Sequence, residues 1–153
     1  MIAGETLSYF HERALEVHGD DTPVLVMGDF NDEPFDVSLV THALSTRQRA
    51  KVTQGDSPRL WNLMSPVIGR SDGTYWYGGF ASVFDQFLVN KNMIGDDRVL
   101  NADPNSVAIV RCPGMAKAEP YPAPIAFGGM GKPVNLAGFS DHLPITLEAT
   151  EKD

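Results

Sequence analysis

The residues with the clearest chemical potential follow a short apolar run. Residues 24–27 are all apolar, and an acidic and amide-rich segment that contains Asp29 and Asn31 comes directly after them. Such a run, bounded by turn signals, predicts a strand buried on both faces. If the chain stays extended, Asp29 and Asn31 point to one side and Phe30 to the other. A carboxylate and an amide at a strand end suit a metal ion or a phosphate, and an ordinary Asp/Asn turn is the alternative.

A second carboxylate and a histidine stand later in the chain. Asp85 interrupts the apolar segment 83–89, which predicts a strand. Burying a charge is costly unless it is paired, so we expect Asp85 to have a partner. Asp141 and His142 lie in a turn before a last strand predicted at 146–149. Carboxylate and amide oxygens suit Mg²⁺ or Mn²⁺, and a histidine suits a general base, which together could hydrolyse a phosphate ester.

The elements that must position these groups alternate between helix and strand. Apolar residues at spacings of three and four predict a helix over residues 6–18 and a second over 36–44. Residues 98–100 and 106–110 predict two further strands, joined as a hairpin through 103–104. The sequence shows no internal repeat and no domain boundary, so residues 1–153 are expected to form a single α/β domain.

Composition excludes several classes of protein. The net charge of -8 argues against loose, charge-driven binding of nucleic acid, although a nucleic acid held through metal ions stays open. Cys112 is the one cysteine of the 153 residues, so no internal disulfide forms. No apolar run approaches the ~20 residues of a membrane span. Residues 1–5 lack the pattern of a signal peptide, and the compartment stays open.

Four further stretches are irregular or biased in composition, and the first two allow two interpretations each. The basic cluster at 47–51 either contacts substrate phosphates or is a solvated helix end. The aromatic stretch 73–79 either lines a substrate cleft, with Tyr75 and Trp76 as binding residues, or forms an ordinary strand and turn. Residues 53–72 are interrupted by glycine and proline and are interpreted as a loop. Residues 113–135 are a longer loop of the kind that is functional or mobile.

Several segments in this order carry a family pattern. They are Gly-Asp-Phe-Asn at 28–31, Gly-Thr-Tyr at 73–75, Asp-Gln-Phe-Leu-Val at 85–89 and Ser-Asp-His-Leu-Pro-Ile at 140–145. In these segments the chain resembles the endonuclease/exonuclease/phosphatase superfamily, which includes deoxyribonuclease I, apurinic endonucleases, sphingomyelinases and inositol polyphosphate 5-phosphatases. The resemblance covers nearly the whole chain. It implies part of a two-sheet, four-layer α/β sandwich, with a mixed sheet and flanking helices.

The resemblance also implies an activity and a role for each candidate residue. The activity is divalent-metal-dependent hydrolysis of phosphodiester or phosphomonoester bonds with Mg²⁺ or Mn²⁺, and a nuclease is favoured. Asp29 would orient or activate the attacking water and, with Asp141, approach the metal. Asn31 would bind the scissile phosphate. His142 would act as a base or as a phosphate ligand, and Asp85 would pair with it.

The chain also departs from the family pattern. The family's first half carries an Asn and a Glu that hold the metal, and neither precedes the first predicted helix. Residues 1–153 are therefore expected to be the C-terminal portion of the domain. A half sandwich would expose an apolar face, which predicts self-association. The alternative function is a non-catalytic fragment, or a binding and assembly module, that retains half of the active site.

Other families fit the sequence less well. The Gly-Asp-x-x-Asp string at 28–32 also occurs in calcineurin-like metallophosphatases, but their later Gly-Asn-His motif is missing. A calcium loop starting at Asp29 fails because Pro34 stands where glycine is required. For the phosphoester substrate, nucleic acid, a phospholipid headgroup and a small phosphoester all stay open.

Overall fold

A mixed sheet of four strands organises the computed structural model, which describes residues 2–152 except 71, 119, 129, 130 and 132. The strands of the chain are β1 (Leu25–Asp29), β2 (Ser45–Thr46), β3 (Leu60–Asn62), β4 (Tyr75–Tyr77), β5 (Phe80–Ser82), β6 (Asp85–Val89), β7 (Leu100–Ile109) and β8 (Ile145–Glu151). The central sheet has the order β1-β6-β3-β2, and only β2 and β3 run parallel. The pairs β4–β5 and β7–β8 are antiparallel ribbons.

Two helices accompany the strands. Helix α1 (Ile2–His18) ends where the periodicity predicts but begins four residues earlier, and α2 (Arg49–Thr53) is one short helix. The helix predicted over 36–44 forms only in part and with another geometry, as a π-helical segment at Ser38–His42. Leu44 adopts a left-handed φ of 55°, which stops a helix, and the Asp36 carboxylate accepts from Glu33 N rather than from a following helix. Two 3₁₀ turns follow, at Ser65–Val67 and Lys91–Met93.

The main core lies between the central sheet and the β7–β8 ribbon. Its buried members are Val52, Leu63, Met64, Val67, Val83, Phe87, Val89, Met93, Ile94 and Ala102. Side chains of both ribbon strands pack against this cluster from their inner face. Each buried Val or Phe side chain stabilises the fold by about 1.5–3 kcal/mol. Packing of the ribbon on this cluster is therefore the main interaction between the two β layers. A mixed sheet with flanking helices confirms the predicted α/β class.

Strand β1 corrects one expectation. It was predicted to be buried on both faces, but Leu25 is 38% exposed and Met27 is 67% exposed. The strand lies at the edge of the sheet and pairs only with β6. Met27 stands opposite Phe87, which is buried under the ribbon at 6% exposure. The ribbon thus covers β6 and leaves the neighbouring side chains of β1 uncovered.

Two further segments differ from the prediction. Residues 60–62, interpreted as part of a loop, form β3 inside the sheet. Residues 100–109 form one strand rather than a hairpin, because both of its halves pair with β8 and the register shifts between Asp103 and Ala108. The register shift has a local cause. Asn105 N donates to the Asp103 carboxylate at 2.9 Å, and Pro104 has no N–H, so neither residue donates a backbone hydrogen bond to β8.

A pair of buried asparagines fixes the connection from α1 to β1. The Asn90 side chain accepts from Val24 N at 3.0 Å and donates to Thr22 O at 2.9 Å, while Asn90 N donates to Val24 O at 3.1 Å. The Asn92 side chain donates to Thr22 O and to Asp20 O. Because these amides satisfy the backbone of the turn, the start of β1 is held against the end of β6.

Candidate active site

Two carboxylates face each other where β1 and β6 meet. Asp29 and Asp85 are direct partners in the antiparallel register. The hydrogen bond from Phe30 N to Phe84 O, at 2.9 Å, makes the next pair a hydrogen-bonded one. Asp29 and Asp85 are therefore a non-hydrogen-bonded pair, whose Cα atoms lie about 4.5 Å apart and whose side chains share a face. Like charges placed this way repel each other, so this strand end favours a cation or a proton donor.

Asn31 joins Asp29 through a turn and not through strand alternation. Strand β1 ends at Asp29, and Asn31 has a left-handed φ of 52°. The Asp29 carboxylate accepts from Asn31 N at 2.9 Å and from Asn31 Nδ2 at 3.1 Å. The predicted proximity of the two side chains is thus present, but its cause is a local Asx turn.

Asp85 has the partner that its position requires. Its Oδ2 lies 2.7 Å from Nδ1 of His142, and only about a fifth of each side chain is exposed. A carboxylate at this distance fixes the tautomer with the proton on Nδ1. The Nε2 lone pair of His142 is then free to accept a proton from a bound molecule.

Thr74 holds this pair together, and the sequence reasoning did not assign it a role. Its buried hydroxyl accepts from Phe84 N and from Asp85 N, both at 3.1 Å. Its carbonyl accepts from Leu143 N at 2.8 Å, directly beside His142. One residue thus places both members of the pair. The available signal was the Gly-Thr-Tyr string. Its glycine is needed because a Cβ at Gly73 would lie 2.6 Å from Ser82 O.

Gln86 is a second residue to which the sequence reasoning gave no role. Its fully buried amide donates to Asp32 O at 2.6 Å and to Val83 O at 3.1 Å, and it accepts from Asn62 at 2.6 Å. These bonds tie the loop after β1 to the centre of the sheet. A glutamine inside an apolar strand was the available signal, because a buried amide needs partners.

The two aromatic candidates lie on β4 beside the histidine. The Tyr75 ring is 4.9 Å from the His142 ring and stacks on Phe84 at 5.4 Å. Tyr75, Trp76 and Asp141 together line a cavity of about 370 Å³. The basic cluster does not join this group, because Arg47 and Lys51 line a different cavity.

The oxygen donors suit a divalent cation for which the protein supplies only some of the ligands. Asp29 and Asn31 offer a carboxylate and an amide oxygen at the strand end, and Asp141 lies on the exposed turn before His142. Among the described residues, no three His, Cys, Asp or Glu side chains converge as in an all-protein metal cage. Mg²⁺ is ordinarily held by one or two carboxylates together with waters and substrate phosphate. The donor chemistry fits Mg²⁺ or Mn²⁺ bound in that manner.

One of three comparisons with known proteins gives a match. A family model described as Endonuclease/Exonuclease/phosphatase family matches residues 3–151. No curated protein and no solved structure gives a significant match. In the part of the chain that the structure describes, no helix has the length and apolar character needed to cross a membrane. The match covers nearly the whole chain, and the chain belongs to the endonuclease/exonuclease/phosphatase family.

Proposed function

We propose that the chain is a divalent-metal-dependent phosphoesterase in which His142 is the general base. Members of this family are generally hydrolases of phosphoester bonds. The observation that carries the proposal is the Asp85–His142 pair, which engages Nδ1 and leaves Nε2 available as an acceptor, one residue from the Asp141 that lines the cavity. Nε2 would take a proton from the attacking water, and Asp85 would keep the imidazole oriented as it becomes charged.

Asp29, Asn31 and Asp141 have the remaining roles in this proposal. One N–H of the Asn31 amide donates to Asp29, so the other N–H is available for a phosphate oxygen. Asp29 and Asp141 would hold Mg²⁺ or Mn²⁺, and the bound ion would neutralise charge on the phosphate. Asp29 would also orient the attacking water.

Among phosphoesters we favour a phosphodiester of nucleic-acid type. Tyr75 lies beside His142, Trp76 lines the neighbouring cavity, and aromatic side chains stack well on bases. The negative net charge does not contradict this preference where the contact is a small site and not a long backbone track.

A second candidate function is an assembly module that retains half of an active site. The uncovered apolar side chains of β1 favour it, because an edge strand with exposed Leu25 and Met27 is a surface for pairing with another chain. In this proposal residues 1–153 are the C-terminal portion of a larger domain. Self-association of the chain would then cover β1.

Hydrolysis of bis(p-nitrophenyl) phosphate distinguishes the two candidates. With Mg²⁺ present, we expect turnover that EDTA abolishes and that His142→Ala lowers by about 10²- to 10⁴-fold, because general base catalysis contributes that much. His18→Ala is the matched control, since His18 is exposed at the far end of α1. Full activity in His142→Ala would refute the assigned base. No turnover above the EDTA control would favour the assembly module.

A further inference from the structure

Described residues of the long loop predicted at 113–135, together with residues 136–139, form backbone pairings that are called the wall here. Ala116 pairs with Pro124 in an antiparallel bridge, and Lys117 N donates to Ala123 O at 2.9 Å. A third segment joins through Phe139 N, which donates to Ile125 O at 2.8 Å. Gly138 permits this approach, because a Cβ there would collide with the Ala126 carbonyl. The wall leads directly into the turn that carries Asp141 and His142.

The wall and the β4–β5 hairpin line the partly open 370 Å³ cavity, which also includes Asp141, the residue before His142. Ligand pockets for drug-sized molecules measure about 300–1,000 Å³, so this one takes a single small organic group. Its chemically distinctive residues are Tyr75, Trp76, Tyr121, Lys117, Asn135 and Asp141. Gly79 brings the hairpin close to Tyr121, since a Cβ there would lie 3.4 Å from the tyrosine ring. Among the described residues, the lining therefore combines three aromatic side chains with one lysine and one carboxylate.

The charge of Lys117 decides between two groups that aromatic pockets hold. A quaternary ammonium such as choline binds to aromatic rings through its positive charge. The proposed function assigns the Asp141 carboxylate of this cavity to the metal ion, which leaves Lys117 as the charge that a ligand meets. The Lys117 ammonium repels a quaternary ammonium, but it suits the acceptor atoms of a nucleobase or a second phosphate. Stacking of a base on Tyr121 or Trp76 needs no particular sequence, because every base has a flat face.

The charge of the whole chain limits how a nucleotide can be presented. Duplex DNA is ordinarily bound by a continuous basic surface that neutralises many phosphates. This chain has a net charge of -8, and of the described residues that line the cavity Lys117 alone is basic. A long phosphate backbone therefore has little to hold it near His142.

We propose that the cavity holds one nucleoside of the phosphodiester that is cleaved, so the substrate is a short or unpaired nucleotide chain and not a duplex. This inference rests on the proposed phosphoesterase function. The nucleoside lies between Tyr121 and the β4 aromatics, and its phosphate lies toward His142.

Two esters with the same leaving group test the pocket directly. They are thymidine 5′-(p-nitrophenyl phosphate) and p-nitrophenyl phosphorylcholine, both assayed with Mg²⁺. We expect kcat/KM to favour the thymidine ester by at least about tenfold, and Tyr121→Leu to lower that preference by about tenfold, mainly through KM. Tyr121→Phe should keep the preference. Tyr9→Leu, at an exposed tyrosine of α1, is the matched control and should leave both esters unchanged.

Three outcomes of these assays would overturn the inference. One is a preference for the choline ester. Another is an unchanged preference in a Tyr121→Leu protein that circular dichroism shows to be folded. The third is faster cleavage of supercoiled plasmid than of oligothymidylate at equal phosphate concentration.

Calorimetry separates this inference from the proposed activity. The His142→Ala protein is titrated with thymidine 5′-monophosphate and with phosphocholine in the presence of Mg²⁺. Binding of the nucleotide that Tyr121→Leu weakens about tenfold supports the pocket even where no ester is turned over, and then only the proposed activity fails. No nucleotide binding overturns the pocket, while hydrolysis of bis(p-nitrophenyl) phosphate still supports the activity.

Discussion

Replacing Thr74 with valine removes one hydroxyl and keeps the shape of the side chain. That hydroxyl accepts from Phe84 N and Asp85 N, so two part-buried backbone donors lose their partner. Leaving a buried donor unpaired costs about 1–3 kcal/mol, and the lower value applies at part-buried positions. We therefore expect Thr74→Val to lower the free energy of unfolding by about 2 kcal/mol. In a chain of this size that corresponds to a fall in Tm of roughly 4–8 °C.

Urea unfolding followed by far-ultraviolet circular dichroism measures this change. Thr74→Ser is the matched control, because it keeps the hydroxyl and removes only a methyl group, which costs about 1 kcal/mol. If the two backbone bonds matter, Thr74→Val is the less stable variant and also loses hydrolytic activity, since Asp85 shifts relative to His142. A valine variant as stable as the wild type, or more stable than the serine variant, would refute the reasoning.

Two further predictions concern α1 and β1. Burial lowers the pKa of His11 below 6.5. As the pH falls below that value, the unfolded chain therefore binds a proton at His11 more readily than the native chain does. Stability should therefore fall as the pH drops below about 6.5, by at most ~1.4 kcal/mol per pH unit, and urea unfolding at pH 7.5 and 5.5 should show a smaller fall in His11→Leu. Parallel pH profiles of the two proteins would contradict this. Met27→Lys, which places a charge on the uncovered side of β1, should reduce self-association measured by light scattering over a concentration series, and a wild-type monomer at all concentrations would refute that surface role.

The parts of the fold that the sequence predicted are those with strong local signals. The periodicity of α1 and the apolar run of β6 both identified their elements, with small errors at the ends. Asp85 was expected to have a partner because a charge inside an apolar strand is costly, and the structure places His142 there. The catalytic roles of these residues remain predictions.

The errors have physical causes outside the local sequence. The burial of β1 depends on which layer covers it, and an apolar run does not encode that layer. Strand β3 has only three residues, too few for an alternation to be recognised. The role of Thr74 arises from hydrogen bonds to residues ten and eleven positions away, which propensity does not report.

The asparagine pair at the start of β1 has a consequence for the far end of that strand. A shift of one residue between β1 and β6 would turn Asp29 to the opposite face of the sheet from Asp85. In the described sheet β1 pairs with β6 alone, so the bonds between Asn90 and Val24 help to fix its register. These bonds lie roughly 17 Å from the carboxylates, at 3.4 Å per residue. The alignment of Asp29 with Asp85 is thus supported by a side chain at the other end of the strand. Loss of the Asn90 amide would remove this support and leave Val24 N without its partner, so the strand would lose alignment and stability together.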